Sequence, residues 1–202
     1  MKSADGYIKF NINYSKKECP LYDNFTDLNN ARSRLHKKKY IGVLPSGIGY
    51  GNISMRIGSS GSFLITGSKT GYKKQLEISD YSEVYGFDIG KNEISCCGMC
   101  KASSESLSHA AIYLAAGSVN CVIHIHNKKI WEFLLDNNFP ATSKDAEYGT
   151  PEIAEDIFRL IKGNSVKRGI FPMAGHTEGV IAFGGDILKT EKLLTEGFLQ
   201  TS

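Results

Sequence analysis

The stretch Cys121-Val122-Ile123-His124-Ile125-His126-Asn127 places two imidazoles one residue apart within an apolar run. A short apolar run rich in β-branched residues reads as a buried strand. Side chains alternate across a strand, so His124 and His126 project from one face, in line with Val122. Two imidazoles on one rigid face can both reach one metal ion, and zinc favours imidazole nitrogen. Two buried neutral histidines without partners would be costly, because each ring carries a donor and an acceptor. The competing reading is a pair of hydrogen-bonded structural histidines at a strand end. A third ligand would favour the metal, and the next histidine along the chain is His176.

Other polar clusters suit an anion and a base. Ser103-Ser104-Glu105 stands where a loop enters a helix. Backbone N–H groups there are unpaired and the helix dipole is positive, so an anion binds readily. Glu105 opens the helix that precedes the histidine strand, which allows it to act as a base or a temporary ligand beside a metal. The plainer reading makes Ser103 or Ser104 the N-cap and Glu105 a dipole-matching acid of the first turn. Gly51-Asn52-Ile53-Ser54 and Thr66-Gly67-Ser68-Lys69-Thr70-Gly71 are two further loops of glycines and hydroxyls. Each alone is an ordinary turn. Taken with Ser103 and Ser104 they read as converging walls of a phosphate pocket.

These residues need a scaffold, and its elements follow from periodicity. Leu28, Ala31 and Leu35 share one face of a helix over 26–38. Strands are expected over 53–57 and 62–66, and a strand pair over 84–89 and 93–97 around Gly90-Lys91-Asn92. Leu107, Ala110, Ala111, Tyr113 and Leu114 mark a helix over 105–116, closed by Gly117. A helix over 128–137 follows the histidine strand. Thr150 and Pro151, as N-cap and N1 proline, open a helix to 162. Strands over 169–172 and 179–183 precede a last helix, capped by Asp186 and reaching about 199. Several strands are joined too tightly for parallel crossovers. The chain is therefore α/β, with a largely antiparallel sheet and helices packed on its faces.

At 202 residues, one domain spanning 1–202 is expected. A net charge of +3 is too small to argue for nucleic acid, and Lys37-Lys38-Lys39 reads as the solvated end of a helix. No apolar run is of membrane-spanning length, and the start, Met1 to Gly6, lacks the apolar core of a signal peptide. A cytoplasmic protein is the resulting expectation. Five cysteines are an odd number, expected to stay reduced. Cys97 and Cys100 have the spacing of a zinc knuckle or a redox pair, but no second pair completes a four-ligand site.

In this order the motifs resemble the class II aldolase/adducin family, from about Ala31 to the end. The parts are Gly51-Asn52-Ile53-Ser54, Leu64-Ile65-Thr66-Gly67-Ser68, Ser103-Ser104-Glu105, His124-Ile125-His126 and the late His176. The resemblance implies a three-layer αβα fold around a central, largely antiparallel sheet. It implies zinc, or a similar divalent metal, bound by His124, His126 and His176, with Glu105 as catalytic acid/base. It implies Asn52, Ser68, Ser103 and Ser104 as contacts to the phosphate of a small sugar phosphate. It further implies a ring-shaped homotetramer with sites at subunit interfaces. The activity implied is a metal-dependent lyase that breaks or forms a carbon–carbon bond through a metal-stabilised enediolate. Two other readings share the scaffold: a pentulose-phosphate 4-epimerase or methylthioribulose-phosphate dehydratase, and a non-catalytic assembly module as in adducin. Glu105 disfavours the epimerase, which typically has aspartate there. The chain departs from the aldolase pattern at Gly175-His176-Thr177-Glu178-Gly179, at Lys69 where glycine is typical, and in a short region from Pro140 to Gly149. That region leaves Tyr148 as the nearest stand-in for a catalytic tyrosine.

Overall fold

Leu28, Ala31 and Leu35 are fully buried along a helix at Phe25–Lys37, so the expected stripe is the one that packs. The computed structural model describes residues 8–164 and 167–195. In chain order the elements are β1 (Asn11–Lys16), α1 (Phe25–Lys37), β2 (Gly42–Val43), β3 (Gly49–Tyr50), β4 (Asn52–Arg56) and β5 (Phe63–Thr66). Then come β6 (Tyr81–Asp88), β7 (Glu93–Gly98), α2 (Ser106–Ala115), β8 (Cys121–His126), α3 (Lys128–Asp136), α4 (Pro151–Asn164), β9 (Gly169–Pro172), β10 (Gly179–Gly184) and α5 (Ile187–Leu193).

Eight strands form one sheet in the order β1-β7-β6-β5-β4-β8-β10-β9. Every neighbouring pair is antiparallel except β1 with β7. β1 was not expected, although Ile8, Phe10, Ile12 and Tyr14 alternate with polar residues along it and the residues before it. β2 and β3 pair separately as a small hairpin.

The sheet is covered on both faces. Leu107, Ala110 and Ala111 of α2 and Ile153, Ala154 and Ile157 of α4 share one core with Phe63, Ile65, Val122, Ile181 and Phe183 of the strands. Leu28 and Leu35 of α1, Ile130 and Leu134 of α3 and Ile187 of α5 share the other with Ile53, Leu64, Ile123, Ile125 and Val180. Alternation along β8 thus sends Val122 to the α2 face and Ile123 and Ile125 to the α1 face. The result is the expected three-layer α/β architecture. Burying side chains such as Leu28 or Leu107 contributes about 1.5–3 kcal/mol each.

Local signals account for three of the helix starts. Asp186 caps α5 by accepting from the Lys189 N–H at 2.8 Å. Asn127 does the same for α3, accepting from the Ile130 N–H at 3.0 Å. Pro151 opens α4. Lys37, Lys38 and Lys39 are exposed at the end of α1, a solvated terminus as expected. The expectations for Met1 to Gly6, and for the last helix beyond Thr195, lie outside the described residues. The five cysteines are free.

Candidate active site

β8 sits inside the sheet, between β4 and β10, and holds His124 and His126 on the face covered by α2. His124 is buried and His126 half-buried. His176 arrives from the turn between β9 and β10 and is buried against them. The turn is pinned by the His176 N–H donating to Met173 O at 3.0 Å and the Gly179 N–H donating to His176 O at 2.9 Å. Gly179 is required there, because a Cβ would lie 2.5 Å from Cδ2 of the His176 ring. The ring centroids are 5.1 Å apart for His124 and His126, 5.3 Å for His124 and His176, and 4.7 Å for His126 and His176. One nitrogen from each ring lies within 4.8 Å of the others, the spacing of groups that can hold a metal ion.

The donor chemistry fits a cation. His126 Nε2 and His176 Nε2 face each other at 3.0 Å. Two imidazole lone pairs at that distance repel unless a proton or a metal stands between them. His124 Nε2 is buried with no hydrogen-bond partner. Burial first, then the neighbouring His126 and His176, hold the His124 pKa well below its ordinary value. Burial also lowers His176 to about 4. Neutral rings are the form that ligates metal. A cluster of three imidazoles, one of them with an orphaned nitrogen, suits a zinc-like ion better than a purely structural role.

Glu105 occupies the N-cap position of α2 and is buried. Ser103 or Ser104 was expected at the N-cap with Glu105 in the first turn; the structure instead places Glu105 itself at the N-cap, where its side chain makes no capping bond. Glu105 Oε1 lies 3.9 Å from His176 Nε2, and Oε2 accepts from Ser108 Oγ at 3.2 Å. Ser103 Oγ accepts from the Glu105 N–H at 3.3 Å, and Ser106 Oγ donates to Ser103 O at 2.7 Å.

All eight residues singled out from the sequence line one cleft, of about 600 Å³ including its open mouth: Asn52, Ser68, Ser103, Ser104, Glu105, His124, His126 and His176. Two chain turns make this convergence possible. Gly51 has φ of 71°, and a Cβ there would lie 2.9 Å from Tyr40 O and 3.1 Å from His124 O, so β4 can press against β8 only with glycine. Lys69 adopts the left-handed conformation, φ 64°, that explains why glycine is usual at this point of the pattern. Its side chain is exposed, at the rim of the cleft.

Sequence reasoning missed Arg32. It lies in the buried stripe of α1, four residues after Leu28, and is fully buried. Its guanidinium donates to the carbonyls of Thr70 and Lys74, each at 3.2 Å, and to that of Lys73. Arg32 thereby ties the loop that carries Ser68 and Lys69 to α1. Only an arginine standing in an apolar helical stripe could have signalled it. Tyr148 is buried with its ring 5.2 Å from that of His176.

With this geometry in place, comparison with known proteins gives a clear family. The family described as Class II Aldolase and Adducin N-terminal domain matches residues 46–196. The chain belongs to the class II aldolase and adducin family. No curated protein matches it. Among solved structures, L-fuculose 1-phosphate aldolase superposes with a TM-score of 0.64 at 20% identity, covering 88% of this chain and 82% of that one. YgbL of Klebsiella pneumoniae, described as a candidate aldolase/epimerase/decarboxylase, gives 0.63 at 17% identity, covering 87% and 84%. A sugar-phosphate aldolase from Thermotoga maritima gives 0.58 at 15% identity, covering 89% and 97%. At these identities the class II aldolase fold is what is shared.

Proposed function

We propose that this chain is a metal-dependent lyase of the aldolase type acting on a small sugar phosphate. The observation that carries the reading is a buried carboxylate, Glu105, 3.9 Å from one of three clustered imidazoles, in a cleft also lined by hydroxyls. His124, His126 and His176 would hold the ion. A bound divalent cation polarises a carbonyl and stabilises the negative charge that develops as the bond to the next carbon breaks.

The remaining work falls to the chain. The Ser68, Ser103 and Ser104 hydroxyls and the Asn52 amide line the cleft and suit a phosphate, whose binding positions the reacting carbons. The first turn of α2 adds the positive end of its dipole. Glu105 moves a proton to or from the carbon that carries the developing charge. Ser108, bonded to Oε2, keeps Oε1 turned toward the histidines. Tyr148, whose ring packs on His176, is the candidate hydroxyl for the aldehyde half.

An adducin-like module without chemistry has no need of this cluster. The test is product analysis: zinc-loaded protein is incubated with a panel of ketose phosphates. Release of an aldehyde and a three-carbon ketose phosphate supports the lyase. Isomer formation without cleavage would favour the epimerase, water loss the dehydratase, and no turnover with any substrate the non-catalytic module.

A further inference from the structure

Asn52 and His124 are direct cross-strand partners, Asn52 on β4 opposite His124 on β8. Residues so paired carry their side chains on one face, with Cβ atoms about 5 Å apart. Asn52 is buried, and its Nδ2 lies 3.3 Å from His124 Nδ1. Two atoms of this pair are left over. Asn52 Oδ1 and His124 Nε2 are both buried without a hydrogen-bond partner.

With the amide nitrogen toward the ring, Nδ1 must accept, and the single proton of the neutral imidazole sits on Nε2. That arrangement buries an N–H with no acceptor and leaves His124 without a lone pair to offer a cation. Turning the amide by 180° exchanges its oxygen and nitrogen with no change of shape. Oδ1 then accepts from Nδ1–H, and Nε2 becomes a bare lone pair. The amide NH2 takes the place of the unpartnered oxygen, in the wall of the cleft, where it is a donor for an anion.

We propose that Asn52 is the positioning residue of the metal centre: its carbonyl fixes His124 as the Nδ1–H tautomer, directing Nε2 to the cation, while its NH2 faces a phosphate oxygen. The inference rests on the metal reading of this site and deepens it. One side chain then spans the two subsites, so that a ligand oxygen on NH2 polarises the amide and strengthens its carbonyl as an acceptor.

The test compares Asn52→Leu, which keeps bulk and removes the acceptor, with Asn52→Asp, which keeps an acceptor and removes the NH2 donor. Zinc affinity is measured by competition with a chelator, and melting of the zinc-free proteins checks folding. Asn52→Leu should bind zinc about 10–100-fold more weakly than wild type. Asn52→Asp should bind it at least as tightly as wild type, and inorganic phosphate should bind that variant less well. Wild-type zinc affinity in Asn52→Leu, or equal weakening in both variants, overturns the proposal. A direct readout comes from 15N spectra of histidine-labelled, zinc-free wild type, with His124 assigned from His124→Gln. Its proton should be on Nδ1; a proton on Nε2 overturns the proposal even if Asn52→Leu fails to fold. If the wild type binds no zinc at all, the metal reading fails, and the tautomer is still decided by the spectra.

Discussion

Glu105 combines three properties: burial, nearness to His176 and an oriented oxygen held by Ser108. The carboxylate makes no cap bond, and the proposed lyase gives it proton transfer as its role. Replacing it by glutamine keeps the shape and the acceptor for Ser108 while removing the base. Glu105→Gln should lower turnover by about 10²–10⁴-fold, with zinc content and melting temperature nearly unchanged. If the residue were only a dipole-matching acid, the change would cost on the order of 1 kcal/mol or less and leave activity intact. Solvent exchange of the substrate's acidic proton, compared between the two proteins, separates these outcomes. Equal exchange in both would remove Glu105 from the chemistry.

At the scale of elements, α2 is the component that joins site and core. The segment that enters it supplies Ser103, Ser104 and the N-cap Glu105, and one turn later His109 is buried within the helix. His109 Nδ1 lies 2.6 Å from Ser54 Oγ, which also lies 2.8 Å from Tyr113 Oη. Burial lowers the His109 pKa to about 3. The unfolded chain therefore takes up this proton near the ordinary value of 6.5, while the folded chain resists it. Stability from this group is complete above about pH 6.5 and falls as pH drops toward 3, by at most about 1.4 kcal/mol per pH unit. Urea unfolding between pH 4 and 7 should show a shallower acid slope in His109→Gln than in wild type. An unchanged slope would mean that His109 is not the buried neutral base described. α1 plays the matching role on the other face, where Arg32 holds the 70–74 carbonyls and with them the loop of Ser68.

The whole molecule presents apolar surface beside its cleft. Val43, Leu44 and Tyr72 are exposed at 40%, 42% and 64%. The β2 hairpin and the loop of Gly71 meet closely, since a Cβ on Gly71 would lie 2.2 Å from Gly42 O. The exposed residues thus flank a loop that lines the site. A homotetramer with sites at subunit interfaces, which the sequence resemblance implies, would give these residues a neighbouring copy to pack against. Light scattering at micromolar concentration is expected to give four chains. A monomer at that concentration would contradict it. No helix among the described residues is long and apolar enough to cross a membrane.

By itself the sequence determined the components. Period-two alternation put His124 and His126 on one face of a strand, and 3.6-residue spacing placed Leu28, Ala31 and Leu35 in one buried stripe. Such periodicities are local properties of the backbone, so they are legible without knowing what packs where. The antiparallel sheet followed from connections too short for crossovers. What no local pattern holds is the approach of segments far apart in the chain. The resemblance alone implied that His176 joins His124 and His126, and only the tertiary structure decided that Arg32 reaches the carbonyls of Thr70, Lys73 and Lys74 and that β1 pairs in parallel with β7. The same holds for Asn52, read from its motif as a phosphate contact and found opposite His124 by strand register. Register depends on which strands become neighbours, a choice made by burying both sheet faces at once rather than by any single segment.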